Sequence, residues 1–271
     1  MGAHVRGRAH RGRDVQGLRR PRRHGPLRGR GQGRPGPARR VRARHHEHVP
    51  GLGSPPALRR PAWRGRVRGL GEQLTETLRQ ATGHDRLVLL CSFQKEESVI
   101  LDELAAVAGG LDGIRVVTID TGVLFAETLA TWKRFEDHFG VRIEVQDAAS
   151  PSEPWTGPEH CCTPLKVAGL ERALGDADAW VTGVRREQAA TRADAELVEV
   201  DPRRGIAKYN PLAFWTEKDI WNRILERGLP YHPLHDQGYA SIGCACCTQP
   251  GDGREGRWAG TDKTECGLHV V

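Results

Sequence analysis

The pattern of apolar and polar positions divides the middle of the chain into alternating strands and helices. The continuous apolar run at residues 87–91, typical of a buried parallel strand, predicts a first strand, and three further strands are predicted at residues 114–119, 141–145 and 180–183. Apolar positions at helical spacing, each series closed by glycine, predict three helices at residues 99–109, 125–139 and 161–174. This alternation predicts an α/β fold: an open, mostly parallel, twisted sheet with helices on both faces.

A hairpin and a further helix follow the fourth strand. Residues 197–200 and 206–209 are predicted to pair across the turn at 201–205, and Thr216 is a good N-cap for a helix through Arg227. Sheets of this class bind ligands at the carboxyl ends of their strands. We therefore expect the chemistry in the loops that follow the first, second and fourth strands.

Those loops carry groups that suit an anionic ligand. The first, Ser92–Ser98, offers hydroxyls and backbone amides at a helix start but lacks the glycines of a Walker loop. Asp120-Thr121-Gly122 follows the second strand, and Arg185, Gln188 and Arg192 follow the fourth. Several arginines beside an anion-binding turn suggest a phosphorylated or sulfated ligand, although arginines on a solvated loop are commonly surface residues.

Charge separates the first seventy residues from the rest of the 271-residue chain. Residues 1–70 hold 20 arginines and two acidic residues, a balance of +18, whereas the remainder carries −11. This Arg/Gly/Pro-rich segment has almost no apolar periodicity, so we expect disorder. It could be a nucleic-acid-binding arm, a transit peptide, or a non-native sequence translated from a wrong start or frame of a GC-rich gene. We assign it no function.

Membrane and secreted classes are excluded by the apolar pattern. No stretch of about 18 apolar residues could cross a bilayer, and no apolar run of about 7–15 residues marks a secretory signal. The expected location is therefore the cytoplasm. In that reducing compartment clustered cysteines indicate metal binding or catalysis more than disulfides.

The cysteines carry the strongest chemical signal. Cys161 and Cys162 are adjacent, and Cys244 and Cys247 form a C-x-x-C pair, which predicts a four-thiolate site for zinc or an iron–sulfur cluster. Neighbouring ligands on a helix point about 100° apart, which suits a [4Fe–4S] cube better than zinc. Cys246 lies inside the C-x-x-C and leaves the ligand choice open.

Two more cysteines stand apart from these pairs. Cys91 falls in the first apolar run and is expected in the core. Cys266 lies near the chain end, where a segment can move unless it is docked. A nearby Lys263 or His269 could lower the pKa of its thiol and make it a nucleophile.

Together these motifs resemble the assimilatory adenylylsulfate reductases, the iron–sulfur branch of the phosphoadenylylsulfate/adenylylsulfate reductase family. The resemblance covers residues 72–271. It rests on Ser92–Ser98, Ile119–Gly122 with Phe125 and Glu127, Cys161-Cys162 with Lys166, Gly183–Arg186 with Gln188 and Arg192, Tyr209–Leu212, Ser241–Thr248, Arg254–Trp258 and Glu265–His269.

The resemblance implies a fold of the adenine nucleotide alpha hydrolase-like, or PP-loop, type with a flexible C-terminal catalytic segment. It implies reduction of adenosine 5′-phosphosulfate to sulfite and AMP, with thioredoxin as electron donor and Cys266 as the attacking thiolate. It also implies three regions: the extension at 1–70, a nucleotide-binding reductase domain at 71–243, and a cluster-binding and catalytic segment at 244–271. No nucleic acid or membrane partner is expected for the folded body.

The resemblance also assigns residue roles. Catalysis would use Cys266, Lys166 and His269, and a [4Fe–4S] cluster would be held by Cys161, Cys162, Cys244 and Cys247. The substrate-binding residues would be Ser92, Phe93, Gln94, Asp120, Thr121, Gly122, Arg185, Gln188, Arg192, Arg254 and Arg257. Leu165 stands where the family often has arginine, and Cys246 is an extra thiol.

Three alternatives remain open. A phosphoadenylylsulfate reductase would keep the terminal cysteine but usually lacks the cluster thiols. Another PP-loop metal enzyme, such as a tRNA-thiolating enzyme, would not need the Glu265–His269 motif. An RNA-binding zinc protein would depend on the arginine-rich segment.

Overall fold

Six strands form one sheet in the computed structural model, which describes residues 69–148, 164–261, 263, 265 and 268. The strands are β1 (Leu87–Leu90), β2 (Arg115–Asp120), β3 (Glu144–Asp147), β4 (Ala179–Val181), β5 (Val198–Val200) and β6 (Ala207–Tyr209). Their order is β3-β2-β1-β4-β6-β5, and every neighbouring pair is parallel except the hairpin of β5 and β6. The open, mostly parallel sheet expected from the sequence is confirmed.

Five α-helices accompany the sheet within the described residues. They are α1 (Leu70–Ala81), α2 (Lys95–Ala108), α3 (Ala126–Phe139), α4 (Pro164–Leu174) and α5 (Glu217–Arg227). The N-cap expected for α5 is present, since the Thr216 hydroxyl accepts a hydrogen bond from the Asp219 amide. Helix α2 ends at Gly109 and α3 at Gly140, both in the left-handed conformation that favours glycine.

Both faces of the sheet are covered, because successive side chains along a strand point to opposite faces and each set packs against helices. Leu87 and Leu89 of β1 point into a core shared with α1, α2, α3 and α5, whereas Val88 points into a second core with α4. Trp180 of β4 is fully buried in that second core. Helices on both faces, as predicted, are therefore confirmed.

Three elements differ clearly from the prediction, and the first is α2, which begins at Lys95 and not at residue 99. Helix α1 was not predicted, although Leu74, Leu78 and Ala81 lie at helical spacing and are fully buried. Strand β3 begins at Glu144 instead of residue 141, because the Ile143 amide donates to the Glu136 side chain at 2.9 Å and not to a neighbouring strand.

The strand order creates a crevice between β1 and β4. From β1 the chain proceeds outward through β2 to β3, then returns to place β4 on the opposite side of β1. The loops that leave β1 and β4 therefore diverge, and ligands of open α/β sheets bind at such a switch point. Among the described residues, no helix has both the length and the apolar character that a bilayer crossing requires.

Candidate active site

A cavity of about 500 Å³ lies at the carboxyl ends of β1, β2 and β4. The loops predicted to carry the chemistry contribute to its wall, as do two later segments around residues 240–244 and 252–257. The predicted site residues that line it are Ser92, Phe93, Gln94, Thr121, Lys166, Arg185, Gln188, Arg192, Cys244, Arg254 and Arg257.

The loop after β1 turns sharply at Phe93, whose φ is 63°. Phe93 lines the cavity, and its buried ring stacks on Trp132 with ring centroids 5.4 Å apart. A positive φ is unusual for phenylalanine, and the buried ring is what holds it. On either side, Ser92 and Gln94 line the cavity, and the Gln94 side chain accepts a hydrogen bond from the Ile242 amide at 2.9 Å.

Three charged residues that open α2 are buried beneath this loop and were not predicted as site residues. Burial raises the pKa of Glu96, but Lys95 and Arg185 outweigh burial and bring that pKa down to about 2. Burial and repulsion from Glu96 raise the pKa of Glu97 to about 8. The Glu97 carboxyl accepts hydrogen bonds from Ser92 Oγ at 3.1 Å and from the Gln94 amide at 2.9 Å. Near neutral pH the Glu96 carboxyl is therefore negatively charged, and the adjacent Glu97 carboxyl is mostly protonated and neutral.

Arg185 joins the loop after β4 to the start of α2 and the start of α5. Its guanidinium is 3% exposed and contacts Glu96 at 2.9 Å, Glu187 at 2.9 Å and Glu217 at 2.6 Å. The Gln188 amide also donates to Glu96, at 3.1 Å. Three carboxylates thus compensate the charge of this arginine at the cavity wall.

Arg192 and Arg254, from distant parts of the chain, meet at one carboxylate. Arg192 donates through two nitrogens to the two oxygens of Glu265, each at 2.9 Å, and Arg254 donates to the same carboxylate at 2.8 Å. All three side chains are about nine-tenths buried. Glu265 belongs to the terminal motif Glu265–His269, but the sequence does not predict its pairing with these arginines.

Arg257 differs from Arg185 because no ion pair with a carboxylate is found for it among the described residues. It is 7% exposed, donates to the Ile242 carbonyl at 3.3 Å and lies over the Trp258 ring, 4.6 Å from its centroid. Its Nε is buried without a hydrogen-bond partner in the described part of the chain. A Cβ at Gly243 would overlap the guanidinium, so a larger residue there would displace the Arg257 side chain.

The turn after β2 is connected with the cysteine region. Asp120 accepts a hydrogen bond from the Gly122 amide at 2.8 Å, which shapes the turn, but neither residue lines the cavity. Thr121 does line it, and its hydroxyl lies 3.2 Å from the Cys244 sulfur. This turn therefore holds the first cysteine of the C-x-x-C pair beside the cavity.

Cys244 and Cys247 are buried together against Trp258, and Cys246 is partly exposed. The expected partners Cys161 and Cys162 lie outside the described residues, shortly before α4 begins at Pro164. Lys166, in the first turn of α4, lines the cavity with Cys244. Within the residues that the structure describes, no group of three or more His, Cys, Asp or Glu side chains could hold a metal ion. Two of the four predicted thiolates are thus seen together.

The expected nucleophile Cys266 and its neighbour His269 also lie outside the described residues. Leu268, which stands between Cys266 and His269 in the sequence, lines the cavity. Cys91 is buried in the core as expected, and burial raises its thiol pKa.

The fold and the cavity define a doubly wound α/β protein whose switch-point site carries buried cations. The family model of the phosphoadenosine phosphosulfate reductase domain matches residues 86–250. The chain belongs to this family and is an enzyme of the oxidoreductase class, which confirms the resemblance drawn from its motifs.

Individual relatives agree on the family and differ in the substrate that they are named for. The chain is 44% identical to a phosphoadenosine 5′-phosphosulfate reductase of Gloeobacter violaceus, over 69% of this chain and 83% of the relative. It is 42% identical to an adenosine 5′-phosphosulfate reductase of Bacillus pumilus, over 71% and 88%. A solved phosphoadenylyl-sulfate reductase from Candida auris is 25% identical, with a TM-score of 0.51 over 64% of this chain and 88% of that one.

Proposed function

We propose that this protein reduces adenosine 5′-phosphosulfate to sulfite and AMP in sulfate assimilation, with thioredoxin as the electron donor. A second candidate substrate, the 3′-phosphorylated form, is favoured by the name of the Gloeobacter violaceus relative. The adenosine 5′-phosphosulfate name is shared by relatives from Bacillus pumilus and Staphylococcus haemolyticus.

The observation that carries the proposal is the buried guanidinium of Arg257 at the cavity wall. A buried charge is costly unless it is paired and hydrogen-bonded. Arg257 has no ion pair with a carboxylate among the described residues, and its Nε has no hydrogen-bond partner there. An anionic ligand in the cavity would supply that partner, and a phosphosulfate matches the fork of a guanidinium.

The proposed reaction uses the Cys266 thiolate as nucleophile. Its sulfur attacks the sulfate sulfur, so that a sulfur–sulfur bond forms, the bond to the phosphate oxygen breaks and AMP leaves with that electron pair. A thioredoxin thiolate then attacks the Cys266 sulfur and releases sulfite. The second thioredoxin thiol closes a disulfide within thioredoxin, which accounts for the two electrons and returns Cys266 as a thiolate.

The chain's cations have a clear role in this step. A thiolate approaching an anionic sulfate is repelled unless positive charge is placed around the reacting atoms. We assign Lys166, Arg254 and Arg257 to this role, since all three line the cavity. We assign Ser92 and Gln94 to the nucleotide, and His269 to contact with the substrate or orientation of the terminal segment.

We assign a [4Fe–4S] cluster to Cys161, Cys162, Cys244 and Cys247. The donor set fits, because Cys244 and Cys247 are buried together against Trp258, and Cys162 precedes the first helical position of α4 by two residues. Helix N-termini favour anionic groups such as thiolates. A bound cluster would contribute electrostatically beside the cavity and needs no change of redox state.

The test is anaerobic release of labelled sulfite from the two substrates with reduced thioredoxin. Strong preference for adenosine 5′-phosphosulfate, together with four irons per chain, is the expected result. Preference for the 3′-phosphorylated form would assign the protein to the other branch. Release from neither, in protein shown to contain iron, would overturn the proposal.

The nucleophile is tested in the same assay without thioredoxin. Wild-type protein should retain the labelled sulfur covalently, and Cys266→Ser should not. Retention by the variant would exclude Cys266 as the attacking residue. Since thioredoxin is a reducing partner, we place the enzyme in the cytoplasm.

A further inference from the structure

The Glu265 carboxylate occupies a site that is built like a receptor for an external anion. Arg192 presents two nitrogens to its two oxygens at 2.9 Å, which is the bidentate geometry that guanidinium also adopts with sulfate and phosphate. Arg254 adds a third charged donor at 2.8 Å, and the Thr191 hydroxyl adds a fourth at 3.2 Å. Four donors from two distant segments converge on one carboxylate.

This site is part of the cavity in which the substrate is proposed to bind. Arg192 and Arg254 both line the cavity, as does Leu268, three positions after Glu265. Two cations and one carboxylate leave a net charge of +1 at this part of the wall. The ionic ligand of these arginines is thus supplied by the protein itself.

We propose that Glu265 is an internal anion that holds the place of the substrate's sulfate or phosphate at Arg192 and Arg254. This inference rests on the proposed function for the identity of the external anion. Because both anions need the same donors, an arriving substrate displaces Glu265. Cys266 follows Glu265 directly in the chain, so the displacement frees the residue next to the proposed nucleophile.

The test compares the binding of AMP and of inorganic sulfate to three full-length, anaerobically purified proteins by calorimetry. Glu265→Gln keeps the shape of the side chain and removes its charge. Glu255→Gln is the matched control. Glu255 is an exposed glutamate ten positions before Glu265, and its substitution removes the same charge. The third protein is the wild type.

Glu265→Gln lacks the carboxylate that competes for the two arginines. It should therefore bind at least one of the two anions about tenfold more tightly than the wild type. Glu255→Gln should stay within about twofold of the wild type, since exposed charges are screened. Equal or weaker binding of both anions by Glu265→Gln would overturn the inference.

A second measurement follows the segment itself. Hydrogen exchange of a peptide covering residues 259–271 should accelerate in the wild type when the tightening anion is added. In Glu265→Gln exchange should already be fast and should not respond. Slower exchange on anion addition in the wild type would show that the anion and Glu265 bind together, which contradicts displacement.

Neither measurement requires turnover. If the wild type releases no sulfite from either nucleotide while Glu265→Gln binds an anion more tightly, the proposed function fails and the internal anion stands. The reverse outcome, turnover without tighter binding, leaves the reductase in place and removes the internal anion.

Discussion

Glu96 and Glu97 are neighbours in the sequence and both are buried. Near neutral pH the Glu96 carboxyl is ionised and the Glu97 carboxyl is mostly protonated. Glu96 faces Lys95 and Arg185, so its pKa falls to about 2, and Glu97 faces the negative charge of Glu96, so its pKa rises to about 8. A carboxyl that remains protonated can also donate a hydrogen bond. The cavity wall therefore contains a neutral acid beside an ion-paired one.

This difference predicts a pH dependence of stability that belongs to Glu97. The folded protein keeps a proton on Glu97 that the unfolded chain loses near its ordinary pKa of 4.5. The free energy of unfolding should therefore decrease as the pH rises from about 4.5 to about 8 and then level off. Glu97→Gln, which stays neutral, should remove that decrease.

Urea unfolding between about pH 6.5 and 8.5 measures the effect. The lower limit excludes the pH range in which His232 and His235 affect stability. Burial lowers their pKa values from 6.5 to about 4, so their contribution to the free energy of unfolding changes only below about pH 6.5. The exposed Glu72→Gln serves as the control and should follow the wild type. Parallel pH slopes for wild type and Glu97→Gln would refute the assignment.

At the scale of elements, the sequence predicts those helices and strands that have a regular apolar pattern or a clear capping residue. Strand β1, the hairpin of β5 and β6, and α5 fall close to their predicted positions because each has a strong local pattern. Helix α1 was missed because its apolar positions follow the arginine-rich segment without a cap signal, and Gly69 supplies no side-chain cap. Strand β3 was displaced because a side chain, Glu136, takes the amide of Ile143.

The site was predictable where it follows from strand ends. Ser92, Gln94 and Arg192 follow strands that meet at one edge, so their convergence on a cavity follows from the topology. Pairings between distant segments, such as Arg254 with Glu265, depend on side-chain geometry that no local pattern encodes. The burial of Glu97 was hidden for the same reason.

The elements around the cavity depend on close contact between the loops after β1 and β4. A Cβ at Gly183 would lie 2.7 Å from Glu97 Oε1 and 2.9 Å from Glu96 Cβ. We predict that Gly183→Ala separates these loops, lowers the free energy of unfolding by about 1–3 kcal/mol and weakens AMP binding.

The matched control is Gly69→Ala, where an added Cβ meets nothing within 4 Å. Because Gly69 is the N-cap of α1, where glycine is preferred over alanine, the loss of stability should be at most about 1 kcal/mol. Denaturant unfolding and AMP calorimetry on both variants check the prediction. Equal stability and equal affinity for the two variants would show that the loops have room to adapt.

At the scale of the whole molecule, the C-terminal segment is packed onto the body through backbone bonds. The Ala245 amide donates to the Val123 carbonyl at 2.9 Å, and Leu124 forms an isolated bridge with Cys244. We propose that residues 71–243 form the nucleotide-binding body and that residues 244–271 add the cluster ligands, the cations and the nucleophile. The two regions would thus form one catalytic unit.

We propose that the arginine-rich residues 1–70 contribute nothing to catalysis. The family model matches residues 86–250, and the cavity is lined by residues 90–268. We therefore predict that deletion of residues 1–68, which leaves Gly69 and α1 intact, changes neither sulfite release nor the melting temperature. Sulfite assays and thermal unfolding of the two proteins check this.

RNA binding by the full and the truncated chain tests the alternative that the arginine-rich segment carries the function. A segment with a balance of +18 attracts phosphates without sequence preference, and such binding weakens steeply with salt. Any binding of the full chain to labelled RNA should therefore disappear on deletion, because the remainder carries −11. If the truncated protein lost sulfite release as well, the arginine-rich segment would have to be counted as part of the reductase. Loss of RNA binding alone would show that the charge of the segment and the chemistry of the cavity are independent properties of one chain.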